Sequence, residues 1–183
     1  MPAGARDVNE AMLTIVLVAL GAYFLVLLVL GVLRYAQFRR VRETAVLTWP
    51  MPRPAHFSLL VVLGFASVGV TVLNGVLDRP LHHVVAQGLM AAYFVLMVPL
   101  SATIPVGLYR DGVWADTGFV PYGQIGRISF RENRDIVLFL LPRGRSRPSR
   151  LAIPPAEYGT VRKYLEEKKR EGVMNTDERI LGL

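Results

Sequence analysis

The sequence predicts a membrane protein: three transmembrane α-helices followed by a small cytoplasmic α+β domain, an antiparallel sheet closed by one carboxy-terminal helix. Three observations predict it. Residues 11–33, 57–77 and 84–108 each lack acidic, basic and histidine side chains. At about 1.5 Å per helical residue these runs reach roughly 32 to 38 Å, enough for a hydrocarbon core of about 30 Å. Beyond residue 108 the apolar residues begin to alternate with polar ones between Gly-containing turns, the period of half-buried strands. Finally, 52% of the 183 residues are apolar and only 19% charged, outside the usual balance of a water-soluble domain. Helices buried in a soluble protein would show a polar face, which these runs lack.

The first run, AMLTIVLVALGAYFLVLLVLGVL, reads as a retained span. Its apolar core exceeds the ordinary signal-peptide length, its amino-terminal flank carries Arg6, Asp7 and Glu10 rather than a basic cluster, and no small-x-small cleavage site follows. Orientation follows from Lys and Arg. One (Arg6) precedes the first span, five lie between the first and second, one (Arg79) between the second and third, and 14 after residue 109. The positive-inside rule then places residues 1–10 and the 78–83 loop outside, and the 34–56 loop and everything after residue 108 in the cytoplasm. The sequence has no cysteine, which fits a reducing compartment without selecting it.

The connections carry their own signals. In RYAQFRRVRETA, Tyr35, Phe38 and Val41 recur every three residues among Arg34, Arg39, Arg40 and Arg42, so a helical continuation would be amphipathic and basic. Such a face suits an anionic leaflet; the simpler reading is that these arginines fix topology. WPMPRP, residues 49–54, removes backbone donors at three positions and reads as a rigid, extended connector. DRPLHH is short enough to force the second and third spans into an antiparallel hairpin. In the second span Ser67, Thr71 and Gly75 recur every four residues with Gly64 nearly in line, and Gly88 and Ala92 form a weaker stripe in the third. Small residues at that spacing let another helix approach closely, within the chain or from a partner. Pro99 and Pro105 are expected to bend or end the third helix near its cytoplasmic end.

Chemistry-bearing residues are sparse. Asn74 and Gln87 are the strong hydrogen-bonding side chains within the spans, both toward the outer end, and an ion or proton pathway usually needs more. His82 and His83 could ligate a metal or pigment, but neighbouring residues on a helix point in different directions and no third ligand is near in sequence, so they read as a hydrated interfacial pair. No phosphate-cradling loop, cysteine nucleophile or spaced histidine and carboxylate set is present, which argues against an enzyme and against a cofactor.

The soluble part begins at DGVWADTGFVPYGQIGRISFREN, residues 111–133. Asp111-Gly112 is a two-residue hairpin signal and Asp116-Thr117-Gly118 a second turn. RISFRE alternates Ile128 and Phe130 against Arg127, Ser129 and Arg131. DIVLFLLP is apolar on both faces, hence a central strand with something covering its second side. A basic turn, RGRSRPSR, leads to the short strand RLAIP. Pro154 and Pro155 then open a helix in which Tyr158, Val161 and Leu165 share a face. Four to six short strands are expected over residues 109–171, followed by a tail, 172–183. Trp114, Tyr122, Phe130 and Phe139 are the expected core or interface aromatics.

The run LYRDGVWADTGFVPYGQIGRISFREN, with its apolar strand, basic turn, short strand and terminal helix, resembles the small bacterial pleckstrin-homology-like domains found after transmembrane helices. Pro121, Tyr122 and Ile125 stand where that family has an aromatic after a proline and an isoleucine three residues on. The resemblance covers residues 107–170 and implies binding or scaffolding in the bacterial cytoplasmic membrane, in a reduced version with fewer than the usual seven strands. It carries over no catalytic residue.

The function expected is therefore a structural or assembly subunit: three helices docked on other integral membrane subunits of a larger complex, of respiratory, photosynthetic or secretion type, with the small domain clamping a partner. The tail VMNTDERILGL supports this, since Ile180, Leu181 and Leu183 are otherwise unused. The alternative is a sensor or scaffold in which Arg143, Arg145, Arg147 and Arg150, with Arg39, Arg40 and Arg42, meet anionic lipid head groups at roughly 1 kcal/mol per charge. Nucleic acid is disfavoured, because residues 110–183 carry 14 basic and 10 acidic side chains, a net of only +4. Nothing points to a small-molecule substrate.

Overall fold

The computed structural model of the chain describes residues 3–52, 56–132, 135–144, 147–174 and 181–182. The chain divides into two compact units, Met1–Ala36 with Pro52–Ile104, and Gln37–Met51 with Pro105–Leu183.

The first unit is helical. Helix α1 spans Ala3–Val41, α2 Phe57–Val76 and α3 Leu81–Ala102, each long and apolar enough to cross a membrane. Large apolar side chains cover their outer surfaces: Ile15 is 68% exposed, Phe65 64% and Val76 74%. That much bare hydrocarbon is unfavourable in water and is solvated by acyl chains in a bilayer.

With no hydrophobic driving force between helices in lipid, close packing has to hold them together. In α1 the more enclosed positions Thr14, Leu17, Gly21, Phe24, Leu28, Gly31 and Tyr35 recur at alternating intervals of three and four, the seam of a shallow helix crossing. A Cβ at Gly21 would lie 3.3 Å from Ala86, and one at Gly31 2.8 Å from the Met97 sulfur. Those two contacts advance together along both chains, so α1 and α3 run parallel. Gly64 of α2 meets the other flank of α3, where an added Cβ would stand 2.9 Å from Phe94 Cβ. Ser67 is buried nearby and donates to the Leu63 carbonyl at 2.8 Å, and Thr71 does the same to Ser67. A Cβ added at Gly88 would lie 3.7 Å from the Thr71 methyl. The stripe from Gly64 to Thr71 thus meets α3 of the same chain. Gly75 faces open space, and in α3 Ala91 is buried while Ala92 is only half-buried.

Pro99 shapes α3. It cannot donate to the carbonyl four residues back, and the turn before it, Tyr93–Met97, widens into a π-helix. The widened turn sets Tyr93 and Phe94 against the Phe24 ring of α1, both at 5.6 Å between centroids. The helix stops at Ala102, short of the expected residue 108, because Pro105 follows and Val106–Tyr109 pairs as a strand.

The second unit holds two four-stranded sheets. The first has the order β1-β2-β3-β4, with β1 Ala45–Trp49, β2 Val106–Tyr109, β3 Gly112–Ala115 and β4 Gly118–Pro121, all antiparallel. Arg110-Asp111 and Asp116-Thr117 turn the chain between these strands, so the first turn lies one residue earlier than the expected Asp111-Gly112: Gly112 opens β3 opposite Tyr109, and Gly118 opens β4 opposite Ala115. β1 overturns the expectation that residues 34–56 form only a loop: α1 continues to Val41, and residues 45–49 then pair with β2, Trp49 opposite Val106. The expected domain boundary at residue 109 is corrected with it, since β2 begins at Val106 and β1 precedes the helical hairpin.

The second sheet has the order β7-β6-β5-β8, with β5 Ile125–Glu132, β6 Ile136–Pro142 and β7 Ser149–Ile153 antiparallel, and the two-residue β8, Leu181–Gly182, parallel to β5. In the tail, therefore, Leu181 pairs by its backbone with β5; Ile180 and Leu183 lie outside the described residues. Helix α4, Tyr158–Arg170, buries Val161 and Leu165. Its first residue stacks edge-on against Phe130 at 5.6 Å, and the Tyr158 hydroxyl donates to Glu132. Polar links tie the sheets together, among them the Trp49 indole N–H, which donates to the Ala152 carbonyl at 2.8 Å, and Thr117, which hydrogen-bonds to the buried Ser149.

The β1–β2 contact requires glycine at residue 107. Gly107 has φ +146°, and a Cβ there would lie 2.2 Å from the Leu47 carbonyl oxygen and 2.8 Å from Thr48 Cα, both backbone atoms that cannot turn aside. Gly107→Val is expected to destabilise the sheet unit by about 3 kcal/mol. Gly123→Ala, whose Cβ would meet open space, should stay within about 0.5 kcal/mol of the parent. Denaturant unfolding of the full chain in detergent, followed by fluorescence of Trp49 and Trp114, measures both.

Candidate functional site

Residues opposed across antiparallel strands lie on the same face, so the register of the second sheet sorts its side chains. Ile128, Phe130, Leu138, Leu140, Leu151 and Ile153 form the inner face and are buried. On the outer face Val137, Phe139 and Leu141 follow one another along the central strand β6, each half-buried. Arg131 opposes Val137 and Arg127 opposes Leu141 from β5, while Arg150 opposes Phe139 from β7. All three arginines are exposed. The result is an apolar strip three residues long, flanked on both sides by guanidinium groups.

Arg150 is held there by its backbone. Its N–H donates to the Asp116 carboxylate at 2.8 Å, and its carbonyl accepts from the Asp116 N–H at 3.1 Å. The turn between β3 and β4 thereby fixes β7, and the Arg150 guanidinium carbon comes to rest 5.7 Å from the Phe139 ring centroid. A cation over an aromatic face gains roughly 0.5–1 kcal/mol at an exposed site. DIVLFLLP is central, as its two apolar faces predict. Of the second face, the described residues leave Val137, Phe139 and Leu141 half-exposed.

The other expected aromatics sit elsewhere. Trp114, Tyr122 and Phe130 are buried. Trp114 belongs to a ring cluster on the first sheet, 6.1 Å from Phe119, 6.4 Å from Tyr109 and 5.6 Å from Phe38. The Tyr122 hydroxyl donates to the Tyr109 carbonyl at 2.9 Å. Phe139 alone of the four reaches the surface. Arg39, Arg40, Arg42, Arg143 and Arg147 are exposed, and Arg145 lies outside the described residues. Of the predicted arginines only Arg150 joins the apolar strip. Arg127 and Arg131 were not among the expected contacts, although the alternation of RISFRE already places them on the wet face.

At the start of α3 the His82 and His83 rings lie 4.6 Å apart, and among the described residues no three His, Cys, Asp or Glu side chains are grouped as a metal site. No protein-family model, curated protein or solved structure matches this chain.

Burial shifts two core tyrosines of the sheet unit. It pushes the Tyr109 phenol up to about 12 and holds the Tyr122 phenol well above its ordinary value. In the unfolded chain both ionise near 10. Their contribution to stability is therefore complete below about pH 10 and is lost as pH rises through the folded values. Thermal melts should accordingly be flat from pH 7 to about 10 and fall steeply by about 12. Tyr122→Phe should cost about 1 kcal/mol at neutral pH through the lost hydrogen bond and should make the alkaline fall shallower. Tryptophan fluorescence melts at stepped pH check both.

Proposed function

We propose that this chain is a non-catalytic structural or assembly subunit of a larger membrane complex, whose cytoplasmic sheet domain docks a protein partner through the outer face of β5, β6 and β7. The supporting observation is that face: Phe139 on an apolar strip between Arg127, Arg131 and Arg150, with no lysine among them. Protein interfaces are enriched in aromatics and arginine and depleted in lysine, and a partner surface with carboxylates around an apolar centre complements this one. The amino terminus outside and the sheet domain in the cytoplasm follow from the arginine distribution. The pleckstrin-homology-like reading draws support from seven antiparallel strands, four in the first sheet and three in the second beside the parallel β8, with a helix after β7; the expected version had fewer than seven, and the added strand is β1.

A second reading has its own observation. Arg143 and Arg147, exposed at the turn between β6 and β7, would suit acidic head groups.

One purification separates the two. After mild crosslinking in native membranes, the full chain should purify within a stable larger assembly. Arg127→Glu, Arg131→Glu and Arg150→Glu together should reduce the recovered partner at least tenfold while leaving the melting temperature within a few degrees. A chain that purifies only with itself, or a partner indifferent to the triple variant, overturns the docking face. The lipid reading instead predicts slower amide exchange across residues 142–150 when acidic lipid is added to proteoliposomes.

A further inference from the structure

The helical unit contains a cavity of about 330 Å³ between α1 and α3. Leu27, Leu30 and Gly31 form its wall on α1, and Tyr93, Met97 and Leu100 face them from α3. One turn further along α1 the wall ends in Arg34 and Tyr35; level with these, because the helices run parallel, come Ser101 and Ile104. The widened π turn contributes two of the lining residues, Tyr93 and Met97. The cavity is thus apolar along most of its length, with the Tyr93 phenol toward one end and the Arg34 guanidinium, with Tyr35 and Ser101, at the other.

That polarity selects the occupant. A helix is about 10–12 Å across with its side chains and does not fit a cavity of this size. Water gains little against an apolar wall. A lipid acyl chain does fit, and Arg34 at the mouth complements a phosphate where the chain meets its head group. The distance from Leu27 to Arg34 is about 10 Å along the helix, the part of an acyl chain nearest its glycerol. Arg34 is exposed, which lets a phosphodiester reach it while the chain lies inside. We propose that this cavity binds one anionic phospholipid, an acyl chain between α1 and α3 and the phosphate paired with Arg34.

Native mass spectrometry of the full chain in detergent tests it, using an equimolar mixture of phosphatidylglycerol, phosphatidylethanolamine and phosphatidylcholine with identical acyl chains. One retained phosphatidylglycerol, favoured severalfold over the other two, is the expected result. Arg34→Gln should reduce that preference to twofold or less, Arg34→Lys should retain most of it, and Arg79→Gln should leave it unchanged. Leu100→Trp, which fills the cavity, should remove the single-lipid adduct altogether; circular dichroism confirms that the helices remain. Equal retention of the three lipids by the parent protein overturns the proposal, as does a preference that survives Arg34→Gln or falls equally with Arg79→Gln. The Arg34 and Arg79 arms decide it even if Leu100→Trp fails to fold, and none of them involves the outer sheet face.

Discussion

The pairing of β1 with β2 is the contact on which the rest of this structure depends. The two strands lie on either side of α2 and α3 in sequence, so their hydrogen bonds close the ends of the whole helical hairpin. A hairpin of two helices returns the chain to the end from which it left, which is what lets β1 and β2 meet. The sheet and the hairpin therefore agree on connectivity through independent physics, one through backbone hydrogen bonds and the other through helix length. Gly107 is where this agreement is most constrained, because the Leu47 carbonyl occupies the place of its absent side chain.

Proline and the small residues play the same part in the helical unit that Gly107 plays in the sheet. Gly21, Gly31 and Gly64 admit α3 from two sides, and Pro99 widens the turn that receives Phe24. Small residues bring the helices together, whereas the widened turn beside Pro99 leaves room between them. Close approach at Gly21 and the cavity beyond Leu27 are two outcomes of the same loosely filled seam.

How far the sequence could be read depended on how local each signal was. The apolar helices, the two hairpin turns, the alternation of RISFRE and the helix after Pro155 are encoded by neighbouring residues and appear within a few positions of expectation, the third apolar helix ending at Ala102 and the first turn falling one residue early, at Arg110-Asp111. β1 was not legible in this way. AVLTW sits between a basic helix and a proline-rich connector, too short to announce a strand, and its partner lies beyond two helices. The seam on α1 was legible in principle, since Thr14, Leu17, Gly21, Phe24, Leu28 and Gly31 keep heptad spacing, but a uniformly apolar helix hides it. In the candidate site, Phe139 and Arg150 were found from composition, while Arg127 and Arg131 needed the cross-strand register. Residue type marks a surface feature; only pairing says which features share a face.

The placement of a helical hairpin inside a sheet also has a meaning in time. During synthesis β1 leaves the ribosome early, and its partner strand cannot follow until α2 and α3 have been made. Until then the strand must wait, and its composition suits waiting: Ala45, Val46 and Thr48 stay exposed even in the finished sheet, so only Trp49 has much to hide. Long-range pairing of this kind is slow to form. Completion of the sheet therefore comes after the hairpin has been synthesised, which makes a finished β1–β2 ladder a report that both helices are complete.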